Sequence, residues 1–508
     1  MKIVAYDLGT GGIKASLVEE NGKALADSFI SYNTYYPKDQ WHEQCPEDWW
    51  SGICQSTRIL LEKSDSRPDE IACVALSGHS LVVAPLNKDG ELLTKYVPIW
   101  SDTRANDCVN DFFSNLSYED WYVTTGNGDP PACYSILKLM WIKKHQPEIF
   151  KRIYKVIGSK DYINYKLTGK ICTDPSYASG FGVFNLLQWN YEDRFFEAAG
   201  ISKDIFPEIL PSDSIIGYVT KEAAGITGLP EGIPVACGGV DNTCMALGAR
   251  GMGEGRVYTS LGSSSWIAVT SKTPILDIKT RPFVFAHAQK GYYTSAVSIF
   301  SAGNSFRWVR DQLCRDILNE QNAYELMNKM AEKVPIGSNG ILFNPSLAGG
   351  SAQEDSPNLR GSFMGISLSN TREDLVRASM EGIAMALKEV LDILKLNVLV
   401  ENEMLICGGG SKSALWRRIF ADTYNMDIIK TNIDQDAAAL GAAAIAANAC
   451  GLWKNYELID KLHVVESIDK PIAANVGEYQ HLQRIYHEWT KYIATVGNKY
   501  KDYKNKSV

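Results

Sequence analysis

The sequence is short of the motifs that most often announce an enzyme. It has no GxxxxGK[ST] phosphate loop, and the loose pattern Gly251-x-Gly253-x-Gly255 lacks an acid at the distance a dinucleotide site needs. HExxH, GxSxG and catalytic-cysteine patterns are also missing, which removes the commonest routes to a zinc peptidase, a serine hydrolase or a thiol enzyme. The eleven cysteines are an odd count scattered from Cys45 to Cys450 with no CxxC pair. A disulfide scaffold or zinc site needs close, repeated spacings, so free buried thiols in a reducing cytoplasm are expected. Long hydrophobic runs are lacking too. The longest small-apolar run, Ala437 to Ala447, has 11 residues, about half of what spans a bilayer. The opening MKIVAYDLGT reaches Asp7 before any apolar segment is complete, so no secretory leader is expected. Positive charge is in deficit: 51 Lys+Arg stand against 59 Asp+Glu, a net charge of −8. That argues against nucleic acid as the main partner, and the expectation is a cytoplasmic protein without a membrane partner.

What is present is ample. A chain of 508 residues, 45% hydrophobic, is too long for one simple core and predicts two to four domains. The first hundred residues read as a compact α/β unit. Lys2–Leu8 is a strand, Gly9-Thr10-Gly11-Gly12 a sharp turn, Ile13–Val18 a second strand, and Asn21-Gly22 a hairpin signal before an extended segment over 24–36. Pro46-Glu47-Asp48 opens a helix to about Leu61, with proline early and acids in its first turn. Ile71–Leu76 returns as a strand. Farther along, Val235–Cys237 leads through Gly238-Gly239 to Asp241 and a small-residue helix ending near Ala249.

The second half repeats the theme. Arg256–Leu261 is a strand, Gly262-Ser263-Ser264-Ser265 a turn, and Trp266–Val269 the paired strand. Met404–Cys407 stops at Gly408-Gly409-Gly410, with a helix over Lys412–Tyr424 beyond it. The pattern predicts a two-lobed α/β protein with a ligand cleft, divided near residue 244 into lobes 1–243 and 244–508. The mixed segment from Asp102 to Pro234 is an insertion in the first lobe, rich in aromatics. His481 to about Ala494 reads as a C-terminal helix, and the basic stretch Asn498–Val508 as a frayed tail.

Three turns and two acids carry the chemical interest. Asp7 stands at a strand end just before a turn whose amides and Thr10 hydroxyl suit phosphate oxygens, while its carboxylate suits a hydrated Mg²⁺. The plainer alternative is a hairpin turn with a solvated acid. Leu261-Gly262-Ser263-Ser264-Ser265 is the same device with the same alternative. Gly408-Gly409-Gly410-Ser411 leaves room for a flat ring against the backbone. Asp241 is either a helix cap, worth about 1 kcal/mol, or a base that takes a proton from a hydroxyl attacking a phosphate.

Together these elements resemble the FGGY carbohydrate kinases: Asp7-x-Gly9-Thr10 with Lys14, Gly238-Gly239-x-Asp241-Asn242, Leu261-Gly262-Ser263-Ser264, and Gly408-Gly409-Gly410-Ser411 with its helix. Residues 134–144, YSILKLMWIKK, resemble the family's first signature through Lys138 and Trp141. Residues 361–381, GSFMGISLSNTREDLVRASME, resemble the second, from Gly361 and Gly365 to Glu381. The resemblance implies an ATP-dependent sugar or polyol kinase on the duplicated actin-like, RNase H-like fold, with nucleotide and sugar in the interlobe cleft and Mg²⁺ as cofactor. It implies Asp241 as catalytic base, Asp7 at the metal, and Thr10, Gly11 and Lys14 by the phosphates. Gly262 and Ser263 would flank the phosphate chain, Gly303 would line the nucleotide site, and Gly409, Gly410 and Ser413 would lie near the adenine. Family members are often dimers, so a homodimer is open.

Within the family, Trp41-x-Glu43-Gln44-x-Pro46-x-x-Trp49-Trp50 resembles the xylulose kinase branch, as do Ile99-Trp100-Ser101-Asp102-Thr103-Arg104, Lys160-Asp161-Tyr162 and Asp174-Pro175-Ser176. Asp102 and Arg104 would lie close to the sugar, with Asn242 beside the base. That branch typically has G-Q-M-H-G after the strand at 71–76, its His touching sugar. Here Gly78-His79-Ser80-Leu81-Val82 puts Leu81 where that His stands, and His-Ser-Leu resembles the gluconate kinase branch. The expected substrate is a ketose, D-xylulose first, bound by His79, Ser80, Leu81, Asp102, Arg104, Asp241 and Asn242. Gluconate, ribulose or a tetritol is the alternative, and an actin-like ATP-switch protein a remote one.

Overall fold

Lys2–Gly9 is apolar nearly throughout and buried on both faces, as a central strand must be. It pairs antiparallel with Gly12–Glu19, setting Asp7 opposite Lys14, and parallel with Ile71–Gly78, setting Asp7 beside Ser77. The computed structural model describes residues 1–350, 354, 356–434 and 436–506. In it the first sheet runs Ile215–Tyr218, Pro234–Ala236, Ile71–Gly78, Lys2–Gly9, Gly12–Glu19, Ala24–Ser31, with Gly239–Val240 also paired to Ile71–Gly78. Helix Pro46–Ser64 starts on its proline, carries Glu47 and Asp48 in its first turn, and stops where Asp65 turns left-handed. Trp49, Ile53 and Leu60 share the core of this sheet. The aromatics between 102 and 234 build a second core around Trp121, Tyr134, Phe181 and Phe195, all buried.

The chain folds as two units. The first comprises Met1–Met252, Thr270–Thr294 and Asp436–Leu462; the second comprises Gly253–Val269, Ser295–Gln435 and His463–Val508. In the second, Val257–Leu261 pairs antiparallel with Ser265–Ser271 and parallel with Glu403–Cys407. The sheet continues through Asp427–Thr431, parallel, and Val465–Asp469, antiparallel, while Tyr293–Ile299 flanks the other side of Ser265–Ser271. This strand plan matches the first sheet, so the fold is the duplicated α/β arrangement expected.

The run Ala437–Ala447 becomes helix Ala437–Ala449, and its small residues serve packing within the first unit. A Cβ on Gly441 would lie 2.0 Å from the Cys244 carbonyl, and one on Gly248 would lie 1.8 Å from that of Ala437. Helix Asp241–Gly248 can approach it so closely only because those side chains are absent. Among the described residues no helix is long and apolar enough to cross a membrane. All eleven cysteines are free and all but Cys450 are buried, as the spacing predicts.

The basic tail departs from expectation. Helix Ala473–Lys506 takes in residues 498–506 of the stretch expected to fray; Ser507 and Val508 lie outside the described residues. The Asn498 side-chain carbonyl accepts from the Ser356 hydroxyl at 2.5 Å and the Asn358 amide at 2.8 Å. Those bonds and buried Tyr479, Tyr486 and Ala494 anchor a helix whose composition alone would not hold it.

Candidate active site

Asp7 lies near the end of its strand, where the Ser77 hydroxyl donates to Oδ1 at 2.7 Å. It keeps some contact with solvent, yet crowding by protein is the first cause of a raised pKa. Ser77 and Lys14 pull the other way, and Asp436 adds repulsion. Asp241 is the first residue of helix Asp241–Gly248 and caps nothing beyond its neighbour. Its Oδ1 accepts from the Asn242 backbone amide at 2.8 Å and side-chain amide at 3.1 Å. Loss of water, then the Asp7 carboxylate, pushes Asp241 up to about 7. A carboxylate with that proton affinity is matched to taking a proton near neutral pH. In the turn before Gly12, Gly11 has no protein atom within 4 Å of a Cβ position, and the Thr10 hydroxyl accepts from Trp100 Nε1 at 2.9 Å. Asp7, Thr10, Gly11, Lys14, Asp241 and Asn242 all belong to the first unit.

His79 sits just past the strand Ile71–Gly78. The residue is 1% exposed, and both its backbone amide and Nδ1 donate to the Leu8 carbonyl, at 3.0 and 3.1 Å. Burial brings its pKa down to about 4, so the ring is neutral. Ser80 and Leu81 follow, both buried, with Leu81 in the left-handed region at φ 62°. Lys138, wholly buried, donates to the carbonyls of Leu81 at 2.8 Å and Ile99 at 2.6 Å, and burial lowers its pKa to about 8. It thereby joins the loop carrying Leu81 to the segment carrying Asp102. Asp102 is fully buried and receives Arg104 through Nε at 2.9 and 3.1 Å and Nη2 at 2.7 Å. Nη2 also reaches Glu43 at 2.7 Å, and the guanidinium lies 3.9 Å over the Trp41 ring.

In the second unit, the turn after Leu261 packs on the start of helix Gly303–Leu313. The amide of Gly303 donates to the Gly262 carbonyl, and that of Asn304 to the Ser263 carbonyl, each at 3.0 Å. A Cβ on Gly303 would fall 2.3 Å from that Gly262 oxygen, so the close join admits only glycine. Gly410 lies against the Leu261 side chain, which brings Gly262, Ser263, Gly303, Gly409 and Gly410 into one neighbourhood. The Ser413 hydroxyl caps helix Ala414–Tyr424 by accepting from Trp416 N at 3.1 Å, and it also donates to Asn328.

Sequence reading missed Asp436. It stands immediately before the alanine helix and acts on Asp7 from far along the chain. Asp434-x-Asp436 ahead of a small-residue run was the available signal for a helix start. Asp434 was missed as well; in the second unit it accepts the Gly408 amide.

Residues 2–248 match the FGGY family of carbohydrate kinases, N-terminal domain, and residues 257–450 match its C-terminal domain. The xylulose kinase of Staphylococcus xylosus is 30% identical over 488 residues, covering 95% of this chain and 98% of that protein. The crystal structure of gluconate kinase from Lactobacillus acidophilus has a TM-score of 0.90 at 26% identity, covering 98% of this chain and 99% of that one. That of xylulose kinase from Rhodospirillum rubrum has the same score and identity over 98% and 100%. With the strand plan duplicated and both family domains matched along the chain, the protein belongs to the FGGY family of carbohydrate kinases and is an ATP-dependent sugar kinase.

Proposed function

We propose that the protein transfers the γ-phosphoryl group of ATP to the primary 5-hydroxyl of D-xylulose, giving D-xylulose 5-phosphate and ADP. The observation that carries the mechanism is the acid pair Asp7 and Asp241, with Asp241 raised to about 7. The acceptor oxygen forms its bond to the γ-phosphorus as the bond to the β–γ bridging oxygen breaks, and Asp241 takes the hydroxyl proton. Asn242 holds the carboxylate's Oδ1, which leaves Oδ2 for the acceptor. The turns bearing Gly262, Ser263, Gly303, Gly409 and Gly410 receive the nucleotide, and Thr10, Gly11 and Lys14 face the transferring phosphate.

A crowded carboxylate whose neighbours include two further acids has the donor chemistry for a hard divalent cation. Among the described residues no three His, Cys, Asp or Glu side chains gather to cage an ion. Mg²⁺ bound through one carboxylate, water and phosphate oxygens fits that pattern. Asp7 would hold it. When bound, Mg²⁺ neutralises charge on the phosphate oxygens.

The sugar choice rests on the surroundings of Arg104. Two of its three nitrogens are held by Asp102 and Glu43, so the guanidinium is already paired and offers an aldonate carboxylate little attraction. A neutral ketose suits it better. Leu81 supports the second reading, a gluconate kinase, because it takes the place of a sugar-binding histidine. Measuring ADP formation with Mg·ATP against D-xylulose, D- and L-ribulose, gluconate, erythritol, L-fuculose and glycerol decides. A dominant response to D-xylulose is expected, and a dominant response to gluconate replaces the reading.

A further inference from the structure

Asp241 follows two glycines, and glycine pairs hold a backbone poorly because they lose the most conformational freedom on ordering. The segment Cys237–Val240 is nonetheless gripped at both ends by fully buried side chains. At its start, the Cys237 carbonyl accepts from Lys160 Nζ at 3.2 Å and Asn164 Nδ2 at 2.9 Å. At its end, the Val240 amide donates to Ser176 Oγ at 2.9 Å. The Ser176 hydroxyl donates in turn to Asp174 Oδ2 at 2.5 Å, so its proton is committed and a lone pair is aimed at Val240.

Asp174 is itself over-determined. Its Oδ2 also accepts from the Ser176 amide at 3.0 Å and the Ser212 hydroxyl at 2.8 Å, and its Oδ1 lies 3.1 Å from Lys160 Nζ. Lys160 also pairs with Asp161 at 2.6 Å. Lys160, Asp174 and Ser176 have no exposed surface. A buried ion pair is a poor device for stability, since desolvation offsets its attraction, and its worth here is geometric. It fixes the hydroxyl that fixes the amide one residue ahead of Asp241.

We infer that Ser176, oriented by Asp174, is a positioning residue that sets where the Asp241 carboxylate points; this rests on the reading of Asp241 as the base. Ser176 touches no reacting atom in this scheme. Its removal leaves both substrates able to bind and displaces the base, and a displacement of about 1 Å is enough to cost about 10²-fold in rate.

The test is a double-mutant cycle on the full chain with Ser176→Ala and Asp241→Ala, using the acceptor that the ADP-release panel identifies. Ser176→Ala is expected to lower kcat about 10- to 100-fold with KM for ATP and sugar within about two-fold. In the Asp241→Ala background the same change is expected to do nothing further, because residues acting as one unit are not additive. An unchanged kcat in Ser176→Ala overturns the inference, as does an equal loss in both backgrounds. Near-normal turnover by Asp241→Ala alone overturns the reading of the base, a different result from either. If Ser176→Ala does not fold, Ser212→Ala removes one donor to Asp174 and is read in the same cycle. There a loss of about three-fold confined to the Asp241 background is expected, and an unaltered kcat overturns the inference.

Discussion

Two hairpins built to one plan differ at one chemical position. In the first unit, Lys2–Gly9 and Gly12–Glu19 close on the two-residue turn Thr10-Gly11, with Asp7 two residues before Gly9. In the second, Val257–Leu261 and Ser265–Ser271 close on Gly262-Ser263-Ser264, and Ser260 holds the corresponding place. Each first strand is flanked by a parallel strand, Ile71–Gly78 in one and Glu403–Cys407 in the other. Only the first puts a carboxylate there, joined by Asp241 and Asp436. The second offers hydroxyls and backbone. A duplicated scaffold thus sets a carboxylate at this strand end in one unit and a hydroxyl in the other, whose Asp434 is turned onto the Gly408 amide.

The largest effect expected on that division is Asp241→Ala, which should lower turnover by about 10²–10⁴ while nucleotide binding survives; steady-state ADP release and a nucleotide titration read the two separately. Acid acts next, on two histidines of the first unit. Burial holds His79 and His287, both in the first unit, down to about 4. The unfolded chain takes up protons near the usual histidine value, about 6.5, and the folded chain does not, so stability is lost as pH falls from about 6.5 to about 4. At about 1.4 kcal/mol per unit, each histidine contributes up to about 3 kcal/mol. Asp241, held up to about 7 by burial, takes its proton in the folded chain before the unfolded one does and offsets part of this loss. The loss on acidification, read from denaturant melts at each pH, should therefore be larger in Asp241→Asn than in the parent, and an equal loss counts against the raised acid.

Asp7→Ser makes the first hairpin resemble the second. It should lower activity about 10²-fold and raise the Mg²⁺ concentration needed, and an unaltered Mg²⁺ dependence removes Asp7 from the metal. The smallest effect lies in the second unit. Gly303→Ala drives a methyl to 2.3 Å from the Gly262 oxygen, forcing the turn to shift at about 1–3 kcal/mol. A lower melting temperature and a raised KM for ATP, with KM for sugar unchanged, are expected. An effect on the sugar alone would blur the division.

The hairpins and the first acid were legible because a buried strand must be apolar along its length and a tight turn must be glycine-rich, both written in consecutive residues. Asp241 was legible as a position following a glycine pair. Asp436 was not, since only folding brings it toward Asp7, and the alanine run before Asn448 hid its purpose. Its tight packing on Asp241–Gly248 depends on which small residues face which carbonyl. The tail over residues 498–506 misled for a related reason. Its helix is held by Ser356 and Asn358, contacts that local composition does not reveal. His79 was legible as a motif residue, but its ring closes on Leu8 beneath the strand ends.

Leu81 holds a left-handed backbone, a conformation that costs a leucine about 1–2 kcal/mol, while Lys138 fastens its carbonyl. The bond from Lys138 needs no particular side chain, but the left-handed path restricts which residues fit. Asparagine or glycine would fit the same path with less strain, and the loop would stay tied to the Asp102 segment. Saturation mutagenesis at position 81 therefore has to be read for stability as well as for activity, since Leu81 also packs in the core with Trp121 and Phe181.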